Sequence, residues 1–294
     1  MAAQDNTCAP VIWGVLGCAE IATARVIPAM QASQHCVEWS VRALNAGKHV
    51  LCENPLSKAA AELAPLLAAQ ARCGLHIEEA FMVREHPQWN SLLDQIRQGR
   101  LGQLRSVQVS YSHTVSAAND IRMDPSKGGG ALLDVGCYAK AIIRLLLGRA
   151  PLRVWANVQA LSDSGVDLHT DVVLDYGRAR AQFTVSIDSS RDQHVIVVGT
   201  QDWARVEVPF AHPDTIGAHI AFGSNVAPST EPDEIIEFKP VNQYALQATR
   251  FSRRIRDPSV PHWTLTDAQE NMHVLDAIRP AAHNQHWVVL PEIY

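Results

Sequence analysis

The chain has 294 residues, 47 % apolar and 19 % charged, which is enough for two globular domains. Its formal charge of −5 offers no basic footprint for nucleic acid, so that class is set aside. Met1 to Pro10 carry no Lys or Arg, and two glycines break the apolar run from Val11 to Ala19, so neither a secretory signal nor a membrane span is expected and the expected location is the cytoplasm.

The six cysteines (Cys8, Cys18, Cys36, Cys52, Cys73, Cys137) include no C-x-x-C pair and are expected as free thiols. The 13 histidines show no H-E-x-x-H spacing, and no metal site is expected.

In chain order, Val11 to Leu16 reads as a strand running into Gly17-Cys18-Ala19-Glu20-Ile21-Ala22 and a helix to about Met30. This is G-x-A-x-x-A, a variant of the dinucleotide fingerprint, in which Gly17 turns the chain and aims free helix N–H groups at a pyrophosphate. Taken alone, the same pattern serves a purely structural turn. A dinucleotide fold next needs a second strand with an acidic tip about 20 residues on. No such strand is present. Glu38 lies near that distance but inside a helical pattern of Val37, Val41, Ala43 and Leu44, so it reads as a surface carboxylate.

Gly47 ends that helix, and Val50-Leu51-Cys52 is a short apolar strand leading to Glu53, Asn54 and Pro55. A helix from Ser57 to Ala71, a strand from Leu75 to Glu79 and a helix from Ser91 to Arg97 follow. Gly99 and Gly102 mark an exit, which divides the chain into domains 1–102 and 103–294. Beyond Leu104 the apolar period becomes two at Val107 to Tyr111, Arg153 to Val158, Val172 to Leu174, Ala181 to Ile187 and Val195 to Val197. These predict antiparallel strands with one polar face. Residues 211–233 read as long loops. Thr266 with Gln269 forms a capping box, Met272, Leu275 and Ile278 make an apolar stripe, and Pro280 is expected to kink or stop that helix.

Between these strands stands Gly128-Gly129-Gly130-Ala131-Leu132-Leu133-Asp134-Val135-Gly136-Cys137-Tyr138. Three glycines let a backbone enter a helix close to a neighbour, and a spacing of four puts Asp134 and Tyr138 on one helix face. They read either as a pocket pair or as a helix-start carboxylate plus a buried tyrosine.

Five stretches carry a family resemblance. Ala46-Gly47-Lys48-His49-Val50-Leu51-Cys52-Glu53-Asn54-Pro55-Leu56 resembles the AGKHVLCEKPL signature of the Gfo/Idh/MocA oxidoreductases, and Glu79 to Gln88 resembles that family's EAFMYRFHPQ. The Gly128 to Tyr138 motif and the segments Asn242 to Ala248 and Thr266 to Met272 are also similar. The resemblance implies a Rossmann-like parallel sheet domain, here shortened, followed by an α+β domain with an open antiparallel sheet that commonly builds homodimers. It implies NAD or NADP as cofactor and a sugar or polyol as substrate, with no nucleic-acid or membrane partner. The forms of these motifs most resemble the glucose–fructose oxidoreductase, xylose dehydrogenase and dihydrodiol dehydrogenase branch.

By the same resemblance, Tyr138, Asp134 and Asn54 are the catalytic positions. Gly17, Cys18, Ala19, Glu20, Ile21, Glu53, Pro55 and Arg122 face the cofactor, and Arg84 and His86 face the substrate. The alternative for Arg84 is a pair with Glu85 or Asp94, while Phe81 and Trp89 read as core. The family lysine is replaced by Asn54, which carries no charge beside a tyrosine whose ordinary pKa is near 10. Lys58, expected on a helix facing water, and Lys140, two residues from Tyr138, are not positioned to replace it.

At least a strand–helix–strand unit of roughly 30 residues is also missing between about Ala32 and Cys36. The parallel order 3-2-1-4-5-6 would shrink to 1-4-5-6, with the first strand as an edge. Three readings stay open: a working NAD(P)-dependent oxidoreductase, a redox-inactive relative that binds or dimerises, and a sequence that has lost a segment.

Overall fold

The computed structural model of the protein describes residues 11–14, 36–117, 119–161, 163–224 and 231–291. The strand expected from Val11 is not seen at Val11 to Gly14, which have no regular structure; Ile12 is exposed and the Trp13 ring lies 5.5 Å from Phe251. Val15 to His35, with the turn at Gly17, Cys18, Ala19, Glu20 and Ile21, lie outside the described residues.

Helix α1 (Cys36–Asn45) leads through Gly47, at φ 74°, into β1 (Val50–Cys52). The next helix begins later than its composition predicts. Ser57 to Ala59 form a loop, Ala60–Leu63 a 3₁₀ turn, and α2 (Ala64–Cys73) starts with Pro65 in its first turn, where a missing N–H costs nothing. Strand β2 (Ile77–Glu79) pairs with β1 in parallel, Cys52 opposite Glu79. Among the described residues the parallel sheet is therefore this two-stranded pair, not a four-stranded one. Helix α3 (Pro87–Arg97) closes this part, with Trp89 and Leu92 fully buried.

The second sheet has nine strands: β3 (Ser106–Thr114), β4 (Arg153–Ala160), β5 (Asp167–Asp175), β6 (Arg180–Ser186), β7 (Asp188–Val198), β8 (Asp202–Val206), β9 (Ala218–Ser224), β10 (Glu234–Phe238) and β11 (Val288–Val289). Their spatial order is β10-β9-β8-β7-β3-β6-β5-β4-β11. Every neighbouring pair is antiparallel except β3–β6, which runs parallel, so the sheet is mixed. Alternation sets its faces: Val107, Phe183, Val172 and Val195 are buried on one side, while Thr184, Asp171 and His194 lie on the other. Strand β9 corrects the loop expected over 211–233. Its glycine and serine hide a period-two core of Ile220 and Phe222, and Gly223 leaves room for the Trp203 ring, which a Cβ would meet at 2.4 Å.

Helices α4 (Cys137–Leu147), α5 (Gln243–Arg256) and α6 (Leu265–Asn284) complete the fold. The cap of α6 is Thr264, whose hydroxyl accepts from the Asp267 N–H at 3.1 Å; Thr266 lies inside the helix, so the capping box expected there is displaced by two residues. Pro280 does not stop α6. It sits on the exposed side, while Met272, Leu275 and Ile278 hold the opposite face in the core. Among the described residues no helix is long and apolar enough to cross a membrane.

Candidate active site

The carboxyl ends of parallel strands are where an α/β sheet leaves room for a ligand. Here β1 ends at Cys52 and delivers Glu53, Asn54 and a cis-linked Pro55 into a cleft of about 710 Å³, within the size range of ligand pockets. The facing wall is the segment between β3 and α4: Arg122, Lys127, Gly128, Gly129, Leu133 and Asp134. Helix α1 supplies Cys36, Val37, Val41 and Arg42, and Glu38 also borders the cleft while pairing with Arg42.

The glycine run is required by contact. Gly130 has φ 116°, and a Cβ there would lie 1.9 Å from Asp167 Oδ1; at Gly129 it would lie 2.5 Å from the Arg122 carbonyl. Asp167 Oδ2 accepts from the Leu132 N–H at 2.6 Å and so fixes the entry into a π-helical turn, Leu132–Gly136. That turn carries Asp134. Its two oxygens bridge Arg122 Nε at 2.9 Å and His113 Nε2 at 2.8 Å, and Arg122 also binds Asp120. Burial works against the Arg122 charge, but Asp134 and Asp120 outweigh it and raise its pKa further.

Tyr138 is one turn further on. It is buried and does not line the cleft; Asn54 stands between. The Asn54 amide donates to the Tyr138 hydroxyl at 3.1 Å and to the Ala80 carbonyl at 3.0 Å, while its Oδ1 accepts from the Cys137 thiol at 3.5 Å. Phe81 and Tyr111 meet the Tyr138 ring edge-on at 5.2 and 6.1 Å. Burial, first, and the neighbouring Cys137 and Glu53 push the Tyr138 hydroxyl well above its ordinary pKa.

Glu53 is the group with most left to do. It is 6 % exposed, the Asn54 backbone N–H donates to its carboxylate, and its Oε2 has no partner among the described residues. Burial, with the Cys36 thiol adding, raises its pKa to about 8. Cys36 and Cys52 in turn share a side-chain hydrogen bond. On β2, Glu79 accepts from the Leu56 N–H at 2.9 Å, and burial raises it to about 7.

The structure thus gathers Glu53, Asn54, Pro55, Arg122 and Asp134 around one cleft, with Tyr138 behind Asn54. Arg84 and His86 stand elsewhere. Arg84 is buried, pairs with Asp267 at 3.1 Å, not with Glu85 or Asp94, and lies over the Phe81 and Trp263 rings. His86 is fully buried at the start of α3, 5.0 Å from the His212 ring. Lys140 points away to Asn271, as its spacing implies.

Lys58 departs from expectation. It lies in the loop before the 3₁₀ turn, borders the cleft and reaches across to the Ser126 carbonyl at 3.2 Å, its stem against Gly128. His113 is the other residue that the sequence reading missed; on β3 it is 21 positions from the Asp134 it holds, and no motif links them.

Residues 89–205 match the GFO/IDH/MocA C-terminal domain family. The chain is 34 % identical over 252 residues to an uncharacterized oxidoreductase of Rhizobium meliloti, covering 85 % of this chain and 75 % of that one. It is 28 % identical over 323 residues to a D-xylose 1-dehydrogenase (NADP(+)) of Haloferax volcanii, covering 92 % and 97 %. That alignment is longer than the present 294 residues, so it carries positions this chain lacks. Among solved structures, a 3-ketoreductase from Actinomadura kijaniata in complex with TDP-benzene and NADP superposes with a TM-score of 0.74 at 26 % identity, covering 87 % of this chain and 76 % of that one. An aldose-aldose oxidoreductase from Caulobacter crescentus shares the fold at 24 % identity and a TM-score of 0.78, covering 88 % and 77 %.

Proposed function

Since the chain belongs to the Gfo/Idh/MocA family of oxidoreductases, we propose that it is an NADP-dependent oxidoreductase acting on a hydroxyl of a sugar or polyol. The observation that carries this reading is the cleft where Glu53, Asn54 and Pro55 face Arg122, Gly129 and Asp134. The residues fit a dinucleotide: a backbone open at Gly128 and Gly129, cationic Arg122 and Lys58 on its rim, and apolar Val41 and Leu133 for a flat ring. When bound, the nicotinamide supplies the acceptor or donor of two electrons.

In this reading Glu53, Pro55 and Arg122 border the nicotinamide half, and Gly17, Cys18, Ala19, Glu20 and Ile21 receive the diphosphate. Asp134, Asn54 and Tyr138 form the catalytic group, with Arg84 and His86 acting from behind; Arg84 backs the Phe81 ring that meets Tyr138. We place the boundary between a cofactor domain and a substrate domain at about Gly102. The polar outer face of the nine-stranded sheet is the surface through which a homodimer forms, and the protein works in the cytoplasm. No observation favours the redox-inactive alternative.

The test is calorimetric titration of the intact protein with NADPH and with NADH, followed by NADP⁺-dependent turnover of D-xylose, other aldoses and trans-dihydrodiols. Micromolar binding of NADPH with turnover of one of these supports the reading. A folded protein that ignores both nucleotides refutes it.

A further inference from the structure

A hydroxyl is oxidised only if something takes its proton. Tyr138 is poorly arranged to do so. It lies behind Asn54, outside the cleft lining, and its hydroxyl already accepts from the Asn54 amide at 3.1 Å. Among the described residues no cation touches it; its other polar neighbours are the Met82 sulfur, the Cys137 thiol, Glu53 and Tyr111. Asn54 has no spare donor facing the cleft, because both amide contacts are taken, by Ala80 and by Tyr138.

Glu53 has the opposite arrangement. It lines the cleft, is 6 % exposed, and keeps one carboxylate oxygen, Oε2, without a partner among the described residues. A buried carboxylate oxygen left unpaired is costly and calls for a ligand. The charged and titratable groups around it are Cys36 on α1, Cys52 at the end of β1, Tyr138 on α4, Arg122 and Asp134 across the cleft, and Lys58 beyond Pro55. Arg122 and Asp134 neutralise one another, and Lys58 is tied to Ser126.

Resting on the oxidoreductase reading above, we infer that Glu53 Oε2, and not the Tyr138 hydroxyl, is the proton acceptor for the substrate hydroxyl in this protein. In the oxidation direction the O–H proton passes to Oε2 while the carbinol C–H hydrogen leaves with its electron pair to oxidised NADP. The C–O single bond becomes a carbonyl, the nucleotide is reduced, and Glu53 returns its proton to water after product leaves. Reduction runs the same steps backwards, with protonated Glu53 as the donor. Burial has already moved the Glu53 pKa to about 8, close to a working pH, where a general acid–base group is most effective.

The experiment compares Glu53→Gln, Glu53→Asp and Tyr138→Phe in the intact protein for NADPH binding by calorimetry and for kcat/KM against pH with the best aldose of the panel. With Glu53 as acceptor, kcat/KM for oxidation falls tenfold per pH unit on the acid side. Glu53→Gln keeps NADPH affinity within threefold, loses about 10²–10⁴ in kcat and loses that acid limb, and Glu53→Asp recovers part of both. Tyr138→Phe keeps the limb. Overturning results are a Glu53→Gln enzyme that retains both rate and limb, or a Tyr138→Phe enzyme that loses the limb. If the parent protein binds neither nucleotide, the oxidoreductase reading falls and this inference with it; if it binds and turns over while Glu53→Gln does the same, only the Glu53 assignment falls.

Discussion

The Asn54 amide donates to the Tyr138 hydroxyl across 3.1 Å, and both residues are almost completely buried. A neutral donor at this point lowers the phenol's pKa only a little, and burial outweighs it. A cation in the same place would favour the phenolate.

Asn54→Lys is therefore expected to bring the Tyr138 pKa down, read as phenolate absorbance against pH, while the Glu53-dependent acid limb of kcat/KM stays in place. It also puts an ammonium where Asn54 is 1 % exposed, so the same variant loses stability. Asn54→Ala separates the two effects: with the buried Ala80 carbonyl losing its donor, it costs about 1–3 kcal/mol in urea unfolding and does not lower the Tyr138 pKa.

Glu79 gives stability a pH dependence with a definite sign. Burial raises its folded pKa to about 7, so above the ordinary carboxylate range the folded chain holds a proton that the unfolded chain has released. Its contribution is full in acid and is lost as pH rises through about 7, with a limiting slope of about 1.4 kcal/mol per pH unit. His86, lowered to about 4 by burial, works in the opposite sense below its ordinary pKa. The difference between the parent and Glu79→Gln cancels that shared part. Because Gln mimics the protonated carboxyl, urea midpoints of the two proteins should lie closest near pH 5 and separate toward pH 7, the parent falling below Glu79→Gln.

Asp267 holds together two arginines from distant parts of the chain, Arg84 at 3.1 Å and Arg144 at 2.5 Å. Asp267→Asn leaves the buried Arg84 without its carboxylate, while Arg144 keeps Glu270. The expected loss is about 3–5 kcal/mol, read as a lowered urea midpoint.

Gly130→Ala tests the turn that presents Asp134. Its φ of 116° is foreign to an L-residue, and the new Cβ would meet Asp167 Oδ1 at 1.9 Å. A loss of more than about 3 kcal/mol is expected. Gly99→Ala is the control: its φ is 82° but nothing lies within 4 Å of the added carbon, so about 1 kcal/mol is expected.

What could be read from the sequence divides along the range of the interaction. Helix α1, strand β1, the buried Phe81 and Trp89, and the alternating strands follow from local periodicity and were legible. So was the meeting of Glu53 with Arg122 and Asp134, but only through motif resemblance; their spacing does not dictate it. The parallel β3–β6 pair was not legible, since a strand's pattern names its faces and not its neighbours. Arg84 with Asp267, 183 positions apart, and His113 with Asp134 are likewise tertiary choices. Strand β9 failed for a different reason: Gly223 makes room for Trp203, and that steric need looks like turn composition in one dimension. Lys58 was placed on a helix because Ala-rich composition masked Pro65 as the true starting point.

The position of β3 in its sheet also sets an order of events during synthesis. It is the central strand, yet both of its partners, β6 and β7, come later in the chain, and pairing cannot finish until Val198 has been made. At roughly 5–20 residues per second, Val107, Val109 and Tyr111 wait about 4–17 s on the ribosome with two open strand edges. The short β1–β2 pair has both its strands by Glu79, although Glu78 must still await Arg250. Yield of soluble protein should therefore respond more to translation speed and temperature over residues 106–198 than over the first hundred.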